Sequence, residues 1–341
     1  MQDKSVEILH ELLDPNGNPE RLLVQWEPFE PIMNEPMFRY LRGNRARGVT
    51  SRDRFGTLIL WPEDSPGAMP HVTDDDKVCP DVTEWEKYVH FPDLDAVAAE
   101  PGAWDEARAL QDKIHAEGKL SSVHFGTGTF EQAHFLMGVE DTLCNFFEEP
   151  EAMKELIDAI AAWRYHYVEL VIEYLHPDMF CSHDDWGTHD NLFFPPDTWR
   201  EFFKENYRKM YGLMKDNGVI AMHHADSVCE PIVTEMAEIG VDIWQGVLPT
   251  NDIPKMQEAL KSSTLGGHMV LMGGIDEVID TETSSEEEIR AEVRRALEAY
   301  APGGLYIPAL TPGLKNGALY PRILPFVDDE IVKFNKEMYG A

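Results

Sequence analysis

The stretch Gly218-Val219-Ile220-Ala221-Met222-His223-His224-Ala225-Asp226 decides the fold. A glycine closes the helical pattern before it, four apolar residues follow, and the run ends in imidazoles and a carboxylate. A short apolar run flanked by helices and left through a polar turn reads as a parallel strand buried on both faces. The unit repeats outward in both directions. Upstream, a helical pattern over 104–117 ends at Gly118 and leads into Leu120-Ser121-Ser122-Val123-His124-Phe125. Helices over 130–175 then lead into Met179-Phe180-Cys181-Ser182-His183-Asp184-Asp185. Downstream, a helix ending at Gly240 precedes Val241-Asp242-Ile243-Trp244-Gln245. Later units carry Val270-Leu271-Met272-Gly273-Gly274-Ile275-Asp276 and Leu305-Tyr306-Ile307-Pro308-Ala309-Leu310. Near the start, a short amphipathic helix is followed by Leu22-Leu23-Val24-Gln25-Trp26, which reads as another buried strand.

Strand–helix alternation implies an α/β protein with a parallel sheet. About seven such strands, without a G-x-G-x-x-G loop after the first, favour a single (β/α)8 TIM barrel over a doubly wound sheet. One domain is expected over 1–341, with 27–100, rich in Pro, Asp and aromatics, as an irregular N-terminal insertion over the barrel. The C-terminal strand ends of a barrel converge on one mouth, where active sites sit. Here those ends carry Gln25 and Trp26, His124, His183-Asp184-Asp185, His223-His224-Ala225-Asp226, Trp244-Gln245 and Asp276. That convergence argues for an enzyme.

Composition narrows the partners. The chain has 29 Lys and Arg against 62 Asp and Glu, a net charge of −33. Such a field repels nucleic acid and anionic membrane surfaces, so neither is expected as a partner. The exception is a basic island, Arg39, Arg42, Arg45, Arg47, Arg52 and Arg54, which suits a phosphate, a carboxylate or pairing with neighbouring acids. Four cysteines lie far apart with no C-x-x-C, which disfavours a disulfide framework or a zinc ribbon. The N-terminus carries no apolar leader and no run of 18 apolar residues occurs, so a soluble cytoplasmic protein is expected.

Among candidate chemical groups, His224 and Asp226 come first. Residues two apart on a strand share a face, so imidazole and carboxylate can meet on one metal ion or one substrate atom. Imidazole with carboxylate suits Zn2+ holding an oxygen ligand. His223 points the other way, toward the helices. Alternation likewise separates Asp184 from His183 and Asp185, and either aspartate at a barrel mouth can orient water, bind a hydroxyl or act as a base. Gln245, Asp276 and His124 are further candidates, and Trp26, Phe125, Trp186 and Trp244 are candidate walls for a bound ring.

Several of these segments together resemble the uroporphyrinogen decarboxylase superfamily: Phe125-Gly126-Thr127-Gly128-Thr129-Phe130-Glu131, Gly138-Val139-Glu140-Asp141, Asp184-Asp185-Trp186-Gly187-Thr188, Met222-His223-His224-Ala225-Asp226-Ser227, Ile239-Gly240-Val241-Asp242 and Met272-Gly273-Gly274-Ile275-Asp276. The resemblance implies a (β/α)8 barrel, and the segment from Phe55 to Leu94 is similar to the branch that moves methyl groups to or from a corrinoid protein. The decarboxylases' Arg-x-x-Gly-Arg spacing does not occur here. The thiol-methylating enzymes bind zinc through His-x-Cys and a late Cys. The corresponding position here reads His224-Ala225-Asp226, and no Cys follows Cys229. A harder His/Asp set suits a Lewis acid on oxygen. The resemblance therefore implies an O-demethylase methyltransferase. It would pass a methyl group from a small methoxylated, aromatic substrate to the Co(I) of a partner corrinoid protein, with cobalamin supplied by that partner. Its catalytic residues would be His224, Asp226, Asp184 and Asp185, with zinc on His224 and Asp226. The alternatives are a methyl-corrinoid:acceptor methyltransferase and a decarboxylase on the same fold. A looser zinc pattern of the ether-cleaving enzymes, Glu-x14-Glu-x20-His, falls on Glu140, Glu155 and His176. Homodimers are usual in this superfamily, which makes a homodimer the assembly to test.

Overall fold

The computed structural model describes residues 4–43, 45–63 and 67–340; residues 1–3 and 64–66, the latter in the Pro- and Asp-rich run, lie outside them. Seven parallel strands hydrogen-bond in chain order: β1 (Phe29–Ile32), β2 (Leu120–Phe125), β3 (Met179–His183), β4 (Ile220–His224), β5 (Ile243–Val247), β6 (Val270–Gly274) and β7 (Tyr306–Ala309). The helices before β2, β4 and β5 end at Gly118, Gly218 and Gly240, which take positive φ and turn the chain into the next strand as their positions predict.

The sheet is curled. Phe29 on β1 and Ile307 and Ala309 on β7 share one buried cluster with Met179, Cys181, Met222, Ile243, Val270 and Met272, so the first and last strands face the same interior. Ile8, Leu9 and Leu12 of the helix Ser5–Leu13 belong to that cluster and plug its lower end. Between β7 and β1, side chains bridge the gap. Gln25 Oε1 accepts from Leu310 N at 3.2 Å, and Lys315 Nζ donates to Phe29 O at 3.1 Å. No eighth strand occurs among the described residues, so the architecture is a seven-stranded parallel sheet of TIM-barrel type.

Two expectations need correction. The run 22–26 is not a strand; the first strand starts three residues after it, at Phe29. Pro28 and Pro31 disguise it, but Pro31 is tolerated because β1 lies at the end of the hydrogen-bonded order and pairs only with β2. The segment 27–100 is also more regular than its composition suggests. Besides β1 it forms the helix Pro36–Arg42, a three-stranded antiparallel sheet (Thr50–Arg52, Leu58–Leu60, Met69–Pro70) and the short helix Leu94–Ala98. Much of the arginine island is absorbed locally: Arg39 pairs with Glu106, Arg52 with Asp76, and Arg42, Arg47 and Arg54 lie over Phe38, Trp61 and Tyr40. The four cysteines are free, and no described helix is long and apolar enough to cross a membrane.

Candidate active site

Strand register assembles the site. His183, His224 and Gln245 are lateral neighbours at the C-terminal ends of β3, β4 and β5. Below them, Cys181 and Met222 point into the barrel, and a period of two sends His183 and His224 the same way. His124, next to last on β2, lies opposite Cys181. The three imidazoles form a row, with ring centroids 5.8 Å apart from His124 to His183 and 4.5 Å apart from His183 to His224.

Carboxylates close around the middle ring. Asp185 Oδ2 lies 3.2 Å from His183 Nε2, and Glu131 Oε1 lies 3.6 Å from the same nitrogen. Glu131 is held by the start of its own helix, where its Oε2 accepts from Gly128 N at 3.1 Å. Asp185 Oδ1 accepts from Asp226 N at 3.1 Å, which draws the loop after β4 toward the loop after β3. His183, Asp185 and His224 present ligand atoms that all lie within 4.8 Å of one another. Two imidazoles and a carboxylate make the donor set of a catalytic zinc with three protein ligands and an open position. No cysteine belongs to it, so the set fits a metal acting on oxygen.

The electrostatics follow from crowding. Burial and the charge of His183 push His224 down to about 4, so it is neutral and able to ligate. Burial would lower His183 too, but Glu131, Asp185 and Asp226 outweigh it and push the imidazole up to about 10. A bound cation would replace that proton. Burial would raise Asp185, yet its hydrogen bond to His183 and the charges of His183 and His224 hold it well below the usual carboxylate range. Burial, with Asp185 beside it, raises Asp226 instead. Burial also raises Glu131, against the pull of His183. Burial and the neighbouring charges of His183, His224 and Arg42 keep His124 neutral, and its Nδ1 is buried without a partner.

The expected residues thus separate into two groups. His224, Asp185, Asp226 and His124 meet in the mouth. Asp184 does not. It is fully buried behind the sheet, where its carboxylate accepts from Phe130 N (3.1 Å), Glu131 N (2.9 Å), Trp186 Nε1 (2.9 Å) and Tyr207 OH (2.5 Å). A Cβ on Gly128 would sit 2.0 Å from Asp184 Cβ, so only glycine lets this helix start approach the carboxylate. Phe125, Trp186 and Trp244 also face the helices: Phe125 stacks on Tyr167, Trp186 stacks on His223, and Trp244 donates to Ala225 O. Trp26 belongs to the apolar plug below the mouth. Gln245 has no group left for a substrate, since its amide is engaged by His224 and by the carbonyls of residues 310–312. Asp276 caps the turn Glu277–Ile279 at the rim. Glu140, Glu155 and His176 do not converge. Glu155 lies in the second turn of one continuous helix, Pro150–Tyr174, and His176 just past its end, a 21-residue separation of roughly 30 Å along its axis.

Sequence reasoning placed His183 on the same side as Asp185 without making it a ligand, and it missed Glu131. Glu131 lies on a helix, not at a strand end; its only local signal is the capping position three residues after Gly128. The loop after β7 forms one wall of an outer cavity of about 760 Å3 that is also lined by Arg47, Glu277, Val278 and Asp280. Glu277, which lines this cavity, is also one of the acidic groups that raise Asp226.

One solved structure shares this architecture. A methyltransferase from Methanosarcina mazei superposes with a TM-score of 0.55 at 16% identity, over 82% of this chain and 76% of its own. A GH26 beta-mannanase from Bacteroides ovatus aligns over 98% and 93% of the two chains at 13% identity, with a TM-score of 0.34. No curated protein matches the sequence significantly. The family model for uroporphyrinogen decarboxylase (URO-D) matches residues 66–318, and the chain belongs to that family.

Proposed function

We propose that this chain is a methyltransferase: the substrate-specific component of an O-demethylase, passing a methyl group from a methoxylated aromatic substrate to the Co(I) of a partner corrinoid protein. The observation that carries the reading is the cluster of His183, Asp185 and His224 at the strand ends, with Asp226 beside it and no thiolate in the set. A phenolate leaves poorly while it carries its full charge. Zinc held by His183, Asp185 and His224 would supply Lewis acidity at the ether oxygen. The remaining work belongs to the chain. Asp226, beside the cluster and raised by burial and by Asp185, is the group placed to give a proton to the ether oxygen as the bond to the methyl carbon breaks. Glu131 and Asp185 both flank Nε2 of His183. The outer cavity, with Val278, Leu310, Pro312 and Leu319 on its walls, offers an apolar seat for the ring.

The test mixes the purified protein, loaded with Zn2+, with a Co(I) corrinoid protein and a panel of aryl methyl ethers, and follows cobalt absorbance. Formation of methyl-Co(III), lost in His224→Ala, is the expected result. Absence of methyl transfer from every ether, or methyl transfer that survives His224→Ala, sinks the reading. Transfer in the opposite direction to a thiol identifies the methyl-corrinoid:acceptor enzyme, and CO2 release from a carboxylic acid identifies the decarboxylase.

A further inference from the structure

His224 sits in an unusually confined place. Its Nδ1 meets Gln245 Oε1. The assignment of the amide is chemically forced, because Gln245 Nε2 faces three carbonyl oxygens, Thr311 O at 2.9 Å, Leu310 O at 3.3 Å and Pro312 O at 3.4 Å. Carbonyls only accept, so the nitrogen must face them and the oxygen must face His224. The imidazole therefore donates from Nδ1–H and leaves its Nε2 lone pair free. Two glycines clamp the same ring. A Cβ on Gly313 would lie 2.8 Å from His224 Nδ1, and one on Gly246, at φ +91, would lie 3.1 Å from Cε1.

We infer that Gln245 is a positioning residue that couples the loop 310–319 to His224. While the loop carbonyls hold the amide nitrogen, the amide oxygen fixes the tautomer and orientation in which Nε2 faces the mouth. If the loop lifts, the amide is free to turn over, its NH2 faces the imidazole, and the tautomer is no longer fixed. The loop is built to close in this way. It is anchored at its start by Leu310 N on Gln25, in its middle by Lys315 on Phe29 O and Glu30, and at its end by Leu319 N (2.6 Å) and Tyr320 N (2.8 Å) on Asp280. It also walls the outer cavity. Loop closure, enclosure of the substrate seat and readiness of His224 thus become one event. The consequence for metal affinity rests on the proposed role of His224 as a ligand; the tautomer and the coupling do not.

Two variants separate the parts. Gln245→Met keeps the length and loses both sets of hydrogen bonds. Gln245→Glu keeps an acceptor for Nδ1–H but cannot donate to the loop. Long-range 1H–15N spectra of histidine-labelled protein report the tautomer, hydrogen exchange at Thr311 and Gly313 reports the loop, and Co2+ titration followed by visible absorbance reports affinity. The wild type should show His224 as the Nδ1–H tautomer. Gln245→Met should lose that signature, exchange the loop amides at least tenfold faster and bind Co2+ about 10–100-fold more weakly, as outer partners of metal ligands do. Gln245→Glu should exchange as fast but keep the tautomer and hold Co2+ within about threefold of wild type. An Nε2–H tautomer in the wild type overturns the inference, as does a folded Gln245→Met with unchanged exchange and Co2+ affinity, or a Gln245→Glu that loses the tautomer. If the tautomer and exchange results hold but Co2+ does not bind the wild type, the positioning role stands and only the ligand reading falls.

Discussion

Neighbouring residues of the same type lead opposite lives here. His223 and His224 are adjacent on β4, and Asp184 and Asp185 are adjacent after β3. His223 is stacked 4.0 Å from Trp186 and bonded through Nδ1 to Tyr211 OH at 2.7 Å. Asp184 takes four donors in the same wall. Their partners, His224 and Asp185, face a mouth crowded with other titratable groups. The wall bonds its carboxylate fully, though His223 Nε2 is buried without a partner, while the mouth packs titratable groups against one another. Sheet alternation alone sorts the two kinds.

The largest effect is expected in the wall. Asp184→Ala removes the common acceptor of four buried donors and should cost about 4 kcal/mol in chemical denaturation. A loss below about 1 kcal/mol would show that the wall does not depend on that carboxylate. Next comes the direct contrast on β4. His223→Ala should cost about 3 kcal/mol through lost stacking and the lost bond to the Tyr211 hydroxyl, with Zn2+ affinity nearly intact. His224→Ala should do the reverse: stability within about 1 kcal/mol of wild type, and Zn2+ affinity down beyond the ~100-fold typical of outer-partner loss. If both variants change the same quantity, alternation does not divide stability from function here.

Much of this division was legible beforehand, because it depends only on a period of two. The apolar runs, three of them directly after the glycine stops at 118, 218 and 240, located six of the seven strands, and counting by twos put His223 and Asp184 opposite His224 and Asp185. What stayed hidden has physical causes. β1 carries a proline that only an edge position tolerates. Glu131 reaches the site from a helix start, so no strand periodicity points to it. Phe125 and Trp244 read as mouth walls from chain position alone, although alternation with His124 and Gln245 turns them toward the helices, and Trp186 lies in the loop after β3, where no strand period applies. Gln245 faces the mouth side as alternation requires, but its partners come from residues 310–312, more than sixty positions away, which no local pattern announces.

A buried carboxyl in the wall makes the comparison depend on pH. Glu35 is fully buried, accepts from Met37 N (2.8 Å), Phe38 N (2.6 Å) and the Tyr167 hydroxyl, and burial pushes it up from 4.5 to about 7. A folded-state value above the unfolded one means that its contribution is fully present below pH 4.5 and is lost as the pH rises to about 7. The loss should amount to roughly 2–3 kcal/mol. Glu35→Gln, which has no charge to bury but one acceptor fewer, should be about 1 kcal/mol less stable than wild type at pH 5 and should match or exceed it above pH 8. Parallel stability curves for the two proteins across that range would contradict the assignment.

The smallest effect tests the comparison from the other direction, with residues that belong to neither the wall's buried network nor the mouth. Glu155 lies in the second turn of the long helix Pro150–Tyr174, and His176 lies just beyond its end with φ +51. What His176 contributes is its backbone carbonyl, which accepts from Gln111 Nε2 at 3.1 Å; a side-chain change leaves that bond in place. Two groups roughly 30 Å apart cannot share an ion, whatever their spacing in sequence suggests. Glu155→Gln combined with His176→Gln should therefore leave Zn2+ stoichiometry unchanged and stability within about 0.5 kcal/mol, the range of ordinary surface substitutions. Loss of the bound ion in that double variant, with His183, Asp185 and His224 untouched, would move the metal away from the mouth and remove the chemical half of the contrast between mouth and wall.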